Sequence, residues 1–167
     1  MKKRLFVIPL LLLGFTMGIH AQYKYAIGIR SGGTSGITLK SIKSPQLAVE
    51  GIIGVWNDGL SFTGLYERHP NAFGIDGFHW LLGVGAHVTL YEGNFRGDAF
   101  PAWYGVYPGD IDDGALGLGI DAIAGLEFKF PIVPFAISFE LKPFMEFTTS
   151  NNIWFSLDPG LGLKLAF

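Results

Sequence analysis

The chain has 167 residues, no cysteine and a formal net charge of −2, with 49% hydrophobic and 16% charged residues. Without cysteine there is no disulfide, no thiolate chemistry and no thiol-linked lipid anchor, and the acidic balance argues against a nucleic-acid partner. Mean hydropathy is +0.36, high for a soluble domain, yet beyond the N-terminus no apolar run is long enough for a transmembrane helix.

At the N-terminus, Lys2, Lys3 and Arg4 precede an apolar stretch from Leu5 to Gly18, and Ile19-His20-Ala21 places a small residue before Gln22. This order predicts a cleavable secretory signal peptide over 1–21. The alternative, a membrane anchor, needs a run of roughly 18–20 apolar residues. Removing 1–21 from the 167 residues leaves one domain of 146, residues 22–167, and takes away three of the 12 basic residues. Nine Lys and Arg then face 14 Asp and Glu, a net charge of −5.

The rest of the chain alternates with a period of two, the spacing of β-strands. Eight segments are predicted, at about 23–31, 34–41, 46–56, 59–68, 77–91, 115–130, 134–147 and 153–167. Breaker clusters separate them, among them Ser31-Gly32-Gly33, Asn57-Asp58-Gly59 and His69-Pro70-Asn71. The one long connection runs over about 92–114. In 116–130, Leu116, Leu118, Ile120, Leu126, Phe128 and Phe130 share a face, against Gly117, Gly119, Asp121, Gly125, Glu127 and Lys129. The last segment repeats the pattern and ends on Phe167. Pro143 and Pro159 each remove a ladder donor, so a bulge or shifted register is expected at both.

The fold expected is all-β, an eight-stranded antiparallel up-and-down transmembrane β-barrel. An even strand count puts both termini on one side, and the long connection then falls on the other, where long extracellular loops belong. Alternation alone does not say which face is buried, and a soluble lipocalin-like barrel would put the greasy face inside. Three features favour lipid outside. The polar face is rich in glycine, as a narrow interior filled by a few large side chains requires. Its charges nearly balance: Lys24, Arg30, Lys40, Lys129, Lys142 and Lys164 against Glu50, Glu67, Asp121, Glu127, Glu140, Glu146 and Asp158. Charges buried together must be paired. Aromatic residues, among them Tyr25, Tyr66, Trp80, Phe130 and Phe167, gather at the strand ends nearest the termini, the layout of an interfacial girdle.

The signal ending in Ala-Gln, the first strand Tyr-Ala-Ile-Gly-Ile-Arg, the stretch Gly-Leu-Tyr-Glu-Arg-His-Pro-Asn-Ala-Phe-Gly at 64–74 and the closing aromatic carry a resemblance. Together they resemble the small outer-membrane β-barrel proteins of Bacteroidota, similar in architecture to OmpA- and OmpX-type eight-stranded barrels. The resemblance implies an outer-membrane location, lipid contact, and a barrel-assembly machinery that reads Phe167 as its signal. It implies no particular activity.

No catalytic or cofactor-binding motif stands out. His69 precedes a proline in a turn, and His79 and His87 lie eight residues apart on one strand face, about 27 Å at roughly 3.4 Å per residue, too far for one metal. A lipid-modifying enzyme would need Ser, His and an acid together, and Ser61, Glu67, His79 and Ser138 are the available residues. Asp110-Ile-Asp-Asp-Gly114, with Glu92 and Asp98, does not follow an EF-hand spacing. Phe95, Phe100, Trp103, Tyr104 and Tyr107 in the long loop form either a binding surface or packing against the barrel rim. The function expected is therefore a structural or interaction barrel with a filled, charge-paired interior, no cofactor and no transport pore. The alternative is a surface-binding or adhesion module acting through 92–114, with its extracellular partner unknown.

Overall fold

The structure, a computed structural model, describes residues 24–56, 59–92, 105–106, 112–151 and 153–167. The expected signal peptide lies outside the described residues. Among the described residues there are nine strands: β1 (Tyr25–Gly32), β2 (Ser35–Ser44), β3 (Leu47–Trp56), β4 (Gly59–Arg68), β5 (Phe78–Tyr91), β6 (Gly105–Val106), β7 (Leu116–Lys129), β8 (Phe135–Thr148) and β9 (Ile153–Ala166). All except β6 match an expected segment to within three residues at either end. Each pairs antiparallel with its sequence neighbour, and β9 pairs with β1, which closes an eight-stranded barrel. The seam is tied at the chain ends, where the Phe167 carbonyl accepts from the backbone N–H groups of Lys24 and Tyr25 at 3.2 and 3.1 Å.

The two-residue β6 has no counterpart in the sequence reading. It joins β9 at Phe155 and Ser156, beyond the stretch from Gly160 to Ala166 that pairs with β1. There β9 runs past the end of β1 and would present a bare edge. An extra strand satisfies it. The signal is two residues long, too short to show a period.

The prolines overturn one expectation. Neither Pro143 nor Pro159 shifts the register. The β8–β9 ladder runs evenly from Phe135↔Leu165 through Leu141↔Pro159 and Pro143↔Leu157 to Phe147↔Ile153. The β7–β8 ladder lapses after Asp121↔Phe144, where Pro143 faces Ala122, and resumes in the same register at Ala124↔Leu141. Alternate residues of a strand send their N–H to opposite neighbours. Pro143 lacks its donor at that lapse, and Pro159 lies just past the last β1 pair, Gly32↔Gly160, where its carbonyl still accepts from Gly33 at 3.0 Å. The register shift that does occur is in β2, between Ile42 and Ser44.

The greasy face points outward. Ile29, Ile37, Val84, Ile120, Phe155 and Leu161 are each between 55% and 62% exposed. The interior holds the other parity. Ile52, Leu65, Leu81 and Ile123 form one small buried apolar cluster on the β3, β4, β5 and β7 side. Most of the remaining interior is polar, and the interior-facing glycines make room for it. A Cβ at Gly117 would stand 2.5 Å from the Glu146 carboxyl carbon, one at Gly160 2.5 Å from the Arg30 guanidinium carbon, and one at Gly119 on the His87 ring.

Candidate functional site: a charged interior

The buried charges form one connected chain along the barrel. Toward the end that carries the termini, Lys40 on β2 reaches Glu50 on β3 and Glu67 on β4 at 2.9 Å each, and Glu127 on β7 at 3.2 Å. Lys164 on β9 bridges Glu50 and Glu140 at 3.1 Å each. Glu140 also receives Arg30 Nε at 3.1 Å and the Ser138 hydroxyl at 2.6 Å. Arg30 continues to Asp158 at 3.1 Å, and Asp158 to Lys142 at 3.3 Å. Lys142 reaches Asp121 at 2.9 Å, and His87 links Asp121 to Glu146.

Alternation explains why so many strands contribute. Each charge occupies an inward position of its strand, so closing the barrel brings residues more than a hundred positions apart within bonding distance. Arg30 and Asp158 are 128 residues apart in sequence. No single strand carries the site.

Two of the thirteen residues expected in this network stand apart from it. Lys24 is exposed at the mouth and makes no ion pair among the described residues. Lys129 is 37% exposed and touches the network only through Glu127, at 3.4 Å. Both follow the inward parity, but they lie where the barrel wall ends and water is close. The buried set is then four cations (Arg30, Lys40, Lys142 and Lys164) against seven carboxylates.

His87 is a partnered interior side chain, as its strand position leads one to expect, and His69, expected in a turn, joins it inside. His69 is buried between Glu67 (3.1 Å) and Glu127 (3.4 Å). His87 places Nδ1 2.9 Å from Asp121 and Nε2 2.9 Å from Glu146. Both ring nitrogens of His87 thus face carboxylates, and whichever nitrogen carries a proton donates to one of them. Beside the four buried cations and the rim Lys129, these two imidazoles bring further ring nitrogens to the seven carboxylates. Parity was the available signal: His69 continues the inward positions of β4 after Glu67, and His87 those of β5 after Gly83 and Gly85.

At the opposite end an aromatic group closes the network. Glu146 accepts from the Tyr91 hydroxyl at 2.6 Å and from Trp154 Nε1 at 3.0 Å. Trp56, Phe144 and Trp154 form one buried cluster. The rings of Trp56 and Trp154 stand edge-on to Phe144 at 5.4 and 5.3 Å, and Lys142 Nζ lies 5.1 Å from the Phe144 centroid.

The residues considered for catalysis occupy separate surroundings. Ser61 is beside Thr89, Ser138 donates to Glu140, Glu67 holds Lys40 and His69, and His79 faces the Gly77 carbonyl at 3.1 Å. Among the described residues, no group of three or more His, Asp and Glu side chains is placed to hold a metal ion. Phe95, Phe100, Trp103, Tyr104 and Tyr107, the expected loop binding surface, lie outside the described residues, as do Asp98 and Asp110. Phe167 stays exposed at the closing end, its ring 6.3 Å from that of Tyr25.

No protein-family model, curated protein or solved structure matches this chain.

Proposed function

We propose that this protein is a structural or interaction barrel of the outer membrane. In this reading it is exported by a signal peptide over 1–21, surrounded by lipid, closed to transport and non-catalytic. One observation carries the reading, the sidedness of the barrel. Its buried charges are paired, while every barrel strand turns exposed isoleucine, leucine, valine or phenylalanine side chains outward. In water, contiguous exposed apolar patches rarely exceed a few hundred Å². A band encircling the barrel belongs against hydrocarbon, where closed barrels are the β-structures able to span.

Strand length agrees. Seven of the eight barrel strands have 10 to 14 residues, against about 9–11 for a tilted membrane strand. Exposed Tyr25, Tyr66, Trp80 and Phe167 ring the end with the termini, as an interfacial girdle does. The likeness to OmpA- and OmpX-type barrels of Bacteroidota rests on this architecture and on the motifs at 23–30 and 64–74. Phe167 is then the residue read by the assembly machinery. The ion network and the Trp56–Phe144–Trp154 cluster fill the bore, which supports a closed barrel.

Isolated outer membranes, run boiled and unboiled in mild detergent, test the reading. A faster unboiled band in the outer-membrane fraction is expected, with no conductance steps above background in planar bilayers. Recovery in the soluble fraction with no shift on boiling would overturn it.

A further inference from the structure

The interior is packed through its middle but not at the end that carries the termini. There the inward positions of four strands are alanines: Ala26 on β1, Ala48 on β3, Ala136 on β8 and Ala166 on β9. Where the rest of the bore holds Arg, Lys, Glu or Trp, these methyl groups leave a chamber of about 360 Å³. That volume is at the small end of ligand sites, enough for one hydrocarbon chain and too little for two. Its outer wall is also apolar, with Phe130, Val133, Pro134 and Phe135 on the turn between β7 and β8.

The charge around the chamber is mostly positive. Lys24, Lys43 and Lys129 line its mouth, and Lys40 and Lys164 its inner end, against Glu127 as the one lining carboxylate. The inner lysines are saturated by Glu50, Glu67, Glu127 and Glu140. At the mouth, Lys129 reaches only Glu127, at 3.4 Å, among the described residues. Lys24 and Lys43 are exposed and make no ion pair among the described residues.

We propose that this chamber binds a single-chain fatty acid, its hydrocarbon against the alanines and its carboxylate at the mouth between Lys24, Lys43 and Lys129. An apolar space explains the alanines, and an anionic head explains why Lys24 and Lys43 at its entrance stand without an ion pair among the described residues while the deeper lysines are paired. The assignment depends on the chamber and not on whether lipid or water surrounds the barrel.

The test is photolabelling of the folded full-length chain in phosphatidylcholine vesicles, with a dodecanoic acid carrying a diazirine on its chain. Saturable adducts are expected on the segments holding Ala48 and Ala136, displaced by dodecanoate and at least about tenfold less well by dodecanol. Ala136→Phe, which fills the chamber, should abolish these adducts while the unboiled band persists. If that variant fails to fold, Lys24→Gln with Lys43→Gln decides. Both sites are exposed, and the pair should weaken competition by dodecanoate about three- to tenfold and leave dodecanol unchanged. Equal competition by acid and alcohol, or adducts confined to outward residues, would overturn the proposal. So would labelling that begins only once residues 1–23 are removed, which would assign the space to the chain's own N-terminal segment.

Discussion

Asp158 offers the sharpest test of the interior. It is fully buried and accepts from Thr34 N at 2.9 Å, Thr34 Oγ1 at 2.7 Å and Arg30 Nη1 at 3.1 Å, with Lys142 Nζ at 3.3 Å. Asp158→Asn keeps the volume and one acceptor oxygen but removes the charge and turns an amide N–H₂ toward donors. Breaking a buried ion pair costs about 3–5 kcal/mol. Arg30 keeps Glu140 at 3.1 Å and Lys142 keeps Asp121 at 2.9 Å, so neither cation is orphaned and the lower end, about 3 kcal/mol, is expected. With a urea dependence of about 2 kcal/mol per molar, the unfolding midpoint should fall by roughly 1.5 M, read from the ratio of unboiled to boiled bands across a urea series. The exposed Asp112 is the control, and its Asn variant should stay within about 0.5 kcal/mol of the parent. A midpoint for Asp158→Asn within about 0.3 M of that control would refute the claim that the network holds the barrel together.

Further expectations follow from the two faces of the wall. Gly119→Ala puts its methyl group on the His87 ring and should destabilise by about 1–3 kcal/mol, as overpacking does. Gly64→Ala, on the outer face with nothing within 4 Å of the added carbon, should be neutral or gain up to about 1 kcal/mol in the same urea series. Val84→Lys, at an outward position 62% exposed near the middle of β5, should cost about 2–4 kcal/mol when folding into vesicles is titrated. A cost under about 0.5 kcal/mol would mean that water faces this wall. In single-tryptophan variants, lipid brominated near the headgroup should quench Trp80, 39% exposed, and spare Trp154, fully buried.

Strand positions and the division into two faces were legible because both follow from one period, and the glycines and nearly balanced charges of one face marked it as the inner one. Once Leu161, Leu163 and Leu165 share a face, Lys164 has to take the other, and the same parity carries through every hairpin. Individual contacts were not legible, since Arg30 meets Asp158 only when β1 and β9 close. Near charge balance was foreseen with Lys24 and Lys129 in the set. In the barrel Lys24 drops out to solvent, and His69 and His87 each sit between two carboxylates. What faces a histidine's two nitrogens is set by closure of the barrel, which no period reveals. The prolines were misjudged for a related reason. A missing N–H disturbs a ladder only where a partner waits for it, and Pro143 and Pro159 fall where pairing lapses or has just ended. The alanines at 26, 48, 136 and 166 read as ordinary small residues until closure set them around one space.

The orientation of the wall can be measured directly, because the chain has no cysteine and single cysteines can be placed at will. Spin labels at Ile37, Val84, Ile120 and Leu163 on the outer face, and at Thr63 and Thr38 inside, would be read for collision with oxygen and with a water-soluble nickel chelate in reconstituted vesicles. The outer labels should collide readily with oxygen and hardly with nickel, and the inner labels with neither. Outer labels open to nickel along the length of the barrel would place water against the apolar face and contradict the account.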